Sequence, residues 1–228
     1  TIPEGVTNIE SSAFYNCSRL SSLTIPSSVM SIGIGAFSGC GGLTSITLPF
    51  IGSRRGNFGS PESLFGYIFG TSSYVGATET TQFYAGASWF SSKYFIPSSL
   101  TSVVITDETK IGYGAFYGCG SLMSVSIPSS VTSIARLAFY KTKLLSSHPN
   151  GAVIVDNCLI GYKGTCSGSV VIPDGVRMFA DEAFYDCSEM TSISIPEGVM
   201  SIGSNTFCND IIVFASRCLI WKASDICI

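Results

Sequence analysis

Nine cysteines and one histidine are the residues of this chain best suited to metal, redox or nucleophilic chemistry, and their spacing points away from all three. Cys17 and Cys40 fill the same place in successive copies of a repeating pattern. Stacked strands would hold them about 4.8 Å apart with parallel Cβ vectors, whereas a disulfide wants Cβ atoms about 3.8 Å apart and converging. Buried, reduced thiols acting as small hydrophobes are therefore expected. Cys158 and Cys166 have seven residues between them, Gly161 and Gly164 included, and could pair if that segment is a hairpin in an oxidising compartment. No C-x-x-C pair occurs, so a structural zinc site is not indicated. His148 lies beside Pro149 where the pattern normally has a strand leucine, which reads as a strand-end histidine in a disturbed coil rather than a general base. The acids, such as Glu4, Asp174 and Glu197, occupy turn positions. With no nucleophile elbow, phosphate loop or metal-binding pair, neither catalysis nor a cofactor is indicated.

Two other groups of residues could bind. Ser22, Thr24, Ser45, Thr47, Ser102, Ser124, Ser126, Ser192 and Ser194 alternate with apolar residues and would line one sheet face with hydroxyls. Such hydroxyls can hydrogen-bond a protein backbone or a sugar, although plain solubility is the commoner reason for them. From Phe65 to Phe95 lie ten aromatics interleaved with Gly, Ser and Thr. Most should pack this segment against the rest of the chain, with Tyr74, Tyr84 and Trp89 expected to stay partly exposed as contact or sugar-stacking residues.

A repeat must position these groups. Ile2-Pro3, Ile25-Pro26 and Leu48-Pro49 recur every 23 residues, and Val6, Ile9, Ala13, Phe14, Cys17, Leu20 and Leu23 return as Val29, Ile32, Ala36, Phe37, Cys40, Leu43 and Ile46. Further copies carry Ala115-Phe116, Ala138-Phe139 and Ala183-Phe184, and a decaying copy keeps Val199, Ile202 and Phe207. A fixed period of this length predicts a solenoid whose units cannot bury their apolar faces alone and must stack. Leu23 and Ile25 alternate with Ser22 and Thr24 as a strand requires, while Ile9, Ala13 and Cys17 at i, i+4 and i+8 predict one face of a short helix. Pro26 and its equivalents close the strand, and Glu4-Gly5, Asp174-Gly175 and Glu197-Gly198 supply turns. Setting aside roughly 34 inserted residues between Pro49 and Leu100 leaves about 194, or about eight coils. One solenoid over 1–228 is expected, with an aromatic-rich insertion at about 50–99 and a hairpin-like segment at about 149–170.

The string A-F-x-x-C-x-x-L-x-x-L-x-I-P resembles the BspA-like class of leucine-rich repeat, found in bacterial and protist surface proteins. The resemblance covers nearly the whole chain, including Tyr94-Phe95-Ile96-Pro97-Ser98-Ser99-Leu100. It implies a right-handed coil with a parallel sheet on the concave face and short helical or irregular segments on the convex one. It also implies display at the cell surface or secretion, and adhesion to a host matrix or cell-surface protein. A glycan-binding module using the aromatic insertion, or a passive spacer in a longer array, are the other readings. Two departures stand out: Thr142 takes the place of the repeat cysteine, and after Phe207 the register dissolves through Cys208-Asn209-Asp210 to Cys218-Leu219-Ile220-Trp221.

Composition fits an extracellular binding module. Charged residues are 12% of the chain, about half the usual share. A net charge of −3 gives no basic footprint for nucleic acid or anionic lipid. No apolar run approaches the roughly 18 residues of a membrane span, so insertion of this segment into a membrane is not indicated. No signal peptide is present, and the chain opens at Thr1 in mid-repeat, as expected of a fragment of a longer protein.

Overall fold

The computed structural model describes residues 1–87, 89–185 and 187–207 and the backbone of Val213–Phe214. The departures at Cys208 and Cys218 to Trp221 lie outside these residues. The chain divides into two compact units, Thr1–Val131 with Leu137–Ser147, and Thr132–Arg136 with His148–Ile228. Both are parallel β-solenoid turns with little helix, about eight turns in all.

The first unit contains β1 (Asn8–Ile9), β2 (Ser22–Thr24), β3 (Ser31–Ile32), β4 (Ser45–Leu48), β5 (Ala77–Phe83), β6 (Ser91–Pro97), β7 (Ser102–Ile105), β8 (Lys110–Ile111), β9 (Ser124–Ser126) and the single-turn helix α1 (Lys143–Ser146). Strands β2, β4, β7 and β9 form a parallel sheet in which Leu23, Ile46, Val103 and Val125 are register partners. All four are buried, so the period-2 alternation read from the sequence sends one rank of each strand into the core. β1 and β3 pair in parallel at the next corner of the coil.

Between β1 and β2, and at the equivalent places in later coils, the expected helix does not form. Ala13, Tyr15 and Cys17 donate to carbonyls three residues back, and Phe14 and Asn16 donate to Ala36 and Ser38 of the following coil at 2.8 and 2.9 Å. Ser12 and Asn16 have φ of 62° and 59°, and Gly35 and Gly39, 23 residues on, are likewise left-handed at 62° and 84°. A left-handed residue every fourth position cannot sit in a right-handed helix, and the backbone spends its hydrogen bonds between coils instead. The 23-residue spacing was right about which side chains face inward and wrong about the backbone that carries them.

A file of phenylalanines fills the interior of this unit. Centroid distances run 5.3 Å from Phe14 to Phe37, 6.4 Å to Phe69, 5.3 Å to Phe65, 4.8 Å to Phe116 and 5.5 Å to Phe139. Phe65 and Phe69 come from the insertion, on the 3-10 turn Phe65–Phe69, so the insertion rejoins the core where a coil would otherwise lie. Ala13 and Cys17 are exposed, whereas their equivalents Ala36 and Cys40, one coil on, are buried. Thr142 is buried in the cysteine slot. Its Oγ1 donates to the Phe139 carbonyl at 2.6 Å and accepts from Leu145 N–H as the N-cap of α1.

The second unit contains β10 (Ser133–Ile134), β11 (Gly151–Val155), β12 (Cys158–Lys163), β13 (Ser167–Val171), β14 (Met178–Phe179), β15 (Glu189–Ser194), β16 (Ser201–Ile202) and β17 (Val213–Phe214). β13, β15 and β17 are parallel, as are β12, β14 and β16. β11 and β12 form an antiparallel hairpin. Its turn is Asp156-Asn157, both left-handed at φ 45° and 64°, as a two-residue hairpin turn demands. Gly161 therefore lies within β12 and not at a hairpin tip, so Cys158 and Cys166 do not face each other across the turn that their pairing required, and neither is in a disulfide. Phe179, Phe184 and Phe207 pack with Tyr162 at the centre of this unit.

Candidate interaction surfaces

The sheet of the first unit sets the hydroxyls in two rows. Ser22, Ser45, Ser102 and Ser124 are register partners in one, and Thr24, Thr47, Val104 and Ser126 in the other. Parallel strand spacing puts neighbours in each row about 4.8 Å apart. None of the seven hydroxyls has a side-chain hydrogen-bond partner among the described residues, and no charged residue occurs in β2, β4, β7 or β9. The adjacent rank behaves differently, since the Thr44 hydroxyl donates to Ser21 O at 2.8 Å and that of Thr101 to Thr44 O at 3.4 Å. Val104 interrupts the second row with an apolar side chain 36% exposed. Ser192 and Ser194 belong to the second unit, in β15, where Ser192 donates to Ser169 Oγ at 2.9 Å. Ser169 was not among the expected residues because its coil carries Ser167-Gly168 in place of the regular motif.

The insertion presents a second surface. β5 and β6 pair antiparallel from Ala77↔Pro97 to Phe83↔Ser91. Gln82 roots this hairpin in the solenoid. Fully buried, it accepts from Gly66 N–H at 2.7 Å and donates to the carbonyls of Ala115 and Tyr117 at 3.1 and 3.3 Å. Gly66 has no alternative there, because a Cβ would lie 2.6 Å from the Tyr94 ring. Tyr94 is also buried, its hydroxyl donates to Pro61 O at 2.8 Å, and burial pushes its pKa up to about 12. Nothing in the sequence singled out Gln82, whose role depends on a coil more than 30 residues away.

The three aromatics expected at the surface part company. Trp89 is 78% exposed and Tyr84 half-buried, with Phe90 (44% exposed) between them at ring distances of 6.3 and 5.7 Å. Tyr74 turns inward. Its hydroxyl donates to Phe95 O at 2.8 Å and desolvation raises its pKa, so it braces the insertion. Sequence reasoning also missed a row in which the Phe83 ring meets Tyr117 edge-on at 4.7 Å, Tyr117 lies 5.6 Å from Tyr140, and Lys141 Nζ stands 5.3 Å over Tyr117. A cleft beside it is lined by Thr78, Thr80, Leu100, Cys119, Ser121 and Leu122.

The titratable groups have structural surroundings. Burial pushes the thiols of Cys40 and Cys158 up to about 11 and raises that of Cys119 further, the reverse of what a nucleophile needs. Glu108 is 1% exposed, and its carboxylate accepts from Thr109 N–H at 3.1 Å and Ile51 N–H at 3.4 Å, holding the loop after β4. Desolvation raises its pKa against the pull of those bonds and of Arg55, which pairs with Asp107. His148 sits in the connection between α1 and β11 rather than at a strand end, with Nδ1 2.8 Å from Pro149 O. Among the described residues no group of three or more His, Cys, Asp or Glu is placed to hold a metal ion, and no helix is long and apolar enough to cross a membrane.

A family model described as the BspA type leucine rich repeat region matches the chain in six copies over residues 1–56 and 88–209. The gap in that match takes in the 3-10 turns and all of β5. No curated protein matches. A leucine rich cell surface protein from Faecalibacterium prausnitzii shares 22% identity over 95% of this chain and 67% of its own, with a TM-score of 0.34. A leucine-rich repeat protein from Bacteroides ovatus shares 19% over 92% and 59%, TM-score 0.31, and one from T. pallidum 17% over 83% and 54%, TM-score 0.25. The chain thus spans between about half and two thirds of the length of these structures.

Proposed function

The chain belongs to the BspA-type leucine-rich repeat family, and from that premise we propose a non-enzymatic, surface-displayed interaction module that engages a protein partner through the hydroxyl rows of its first unit. The supporting observation is the contrast between ranks. Thr44 and Thr101 spend their hydroxyls on neighbouring coils, while Ser22, Ser45, Ser102, Ser124, Thr24, Thr47 and Ser126 leave theirs without a partner on a charge-free sheet. Hydroxyls at strand spacing offer donors and acceptors to a partner's backbone with no ion to desolvate. Host matrix and cell-surface proteins are the partner class that adhesion implies.

The test is replacement of Ser124 and Ser126 by Lys in the full chain, followed by capture of host matrix proteins. Both side chains point away from the core, so the variant keeps its fold by circular dichroism and loses binding. Undiminished capture by a folded variant removes this face from the proposal.

A further inference from the structure

We propose that the tip of the β5–β6 hairpin is a contact site for the interface of a neutral, zwitterionic lipid bilayer, resting on its surface without crossing it. Tyr84, Phe90 and Trp89 form a connected cluster whose ring planes are inclined by 37° and 51°. Inclined rings make a ridge, whereas stacking on a sugar wants a flat platform. With Trp89 78% exposed and Phe90 44%, the ridge leaves its apolar surface in water. Tryptophan and tyrosine, with apolar bodies and polar handles, are the side chains that settle at headgroup depth.

Charge selects the lipid. From Phe83 to Ser92 the sequence has no charged residue, so no ion must leave water when the ridge enters the interface. Behind the tip, Lys93 and Glu79 neutralise each other at 2.8 Å. Lys141 is held over Tyr117 at the root, far short of the basic cluster that anionic lipid recognition takes. The root is fixed by buried Gln82 and by Phe83 against Tyr117, so the ridge stands on ordered structure. Composition alone gave no sign of this, because run length and net charge do not register a three-ring tip.

The experiment uses the full chain with phosphatidylcholine vesicles. The second tryptophan, Trp221, is replaced by Phe so that Trp89 reports alone. Its emission should shift to the blue on adding vesicles, and co-sedimentation of the otherwise native chain should fall about tenfold in a Trp89→Ser, Phe90→Ser variant that remains folded. The sedimentation measurement stands without the Trp221 variant. Equal sedimentation of native and double variant overturns the proposal. So does retention on a neutral polysaccharide without vesicle binding, which would give the tip to a glycan. The Ser124→Lys, Ser126→Lys variant should bind vesicles normally, so failure here and failure of the sheet-face reading are told apart.

Discussion

Gln82 Oε1 accepts the backbone N–H of Gly66 at 2.7 Å, and through the other end of the same amide the insertion is tied to the carbonyls of Ala115 and Tyr117. One buried side chain thus joins the 3-10 turn, the hairpin and a repeat coil. Gln82→Leu keeps the volume and leaves the buried Gly66 N–H without its acceptor, while Ala115 O keeps the Phe65 N–H at 3.0 Å and Tyr117 O loses a part-buried donor. The expected cost is about 1 to 3 kcal/mol in urea unfolding. Faster hydrogen exchange at Gly66 should accompany it, and an unchanged unfolding midpoint would contradict the assignment.

The file of rings from Phe14 to Phe139 predicts that core truncation costs more at Phe116 than at Phe14. Phe116→Ala removes a fully buried ring with neighbours on both sides and should cost about 3 to 5 kcal/mol. Phe14→Ala, on a half-buried ring with one neighbour, should cost clearly less under the same denaturant titration. Equal penalties would mean that the rings do not stack as a file.

Thiol reactivity should follow exposure and not position in the repeat. Cys17 is exposed, while Cys40, Cys119 and Cys158 are buried with raised pKa values. Alkylation of the native protein at pH 8, mapped by mass spectrometry of peptides, should label Cys17 before those three, which react only on unfolding. Early modification of Cys119 would be inconsistent with this core.

The two displaced carboxyls give a pH dependence of definite sign. Burial raises the pKa of Glu108 above 4.5 and that of Asp181 above 3.8. The folded chain therefore binds protons more readily than the unfolded one, and these groups contribute stability below their ordinary values that is lost as pH rises through the raised ones. Unfolding free energy measured against pH, just above the ordinary carboxylate range, should lose part of its downward slope in Glu108→Gln. A slope identical to that of the native chain would show that Glu108 titrates normally.

Much of this fold was legible before any coordinates, for a physical reason. Side chains that pool in one core must return at the period of the coil, so Leu23, Ile46 and Val125, or Phe37 and Phe116, announce themselves by spacing alone, whereas Val103, across the insertion, does not. The outward hydroxyls follow, because a strand that points one rank inward points the next one out. What spacing leaves open is the backbone path between inward residues: i, i+4, i+8 fits a helix, yet left-handed Ser12 and Asn16 make it a chain of turns bonded to the next coil. Contacts between segments distant in sequence were equally hidden. Gln82 in the coil of Ala115, Tyr74 on Phe95, Glu108 in the loop of Ile51 and the ridge of Tyr84, Phe90 and Trp89 depend on where the insertion lands, and a segment outside the period carries no signal for its own placement. The sequence by itself determined which residues share the core; only the tertiary structure decided which of the remainder meet water and which meet each other.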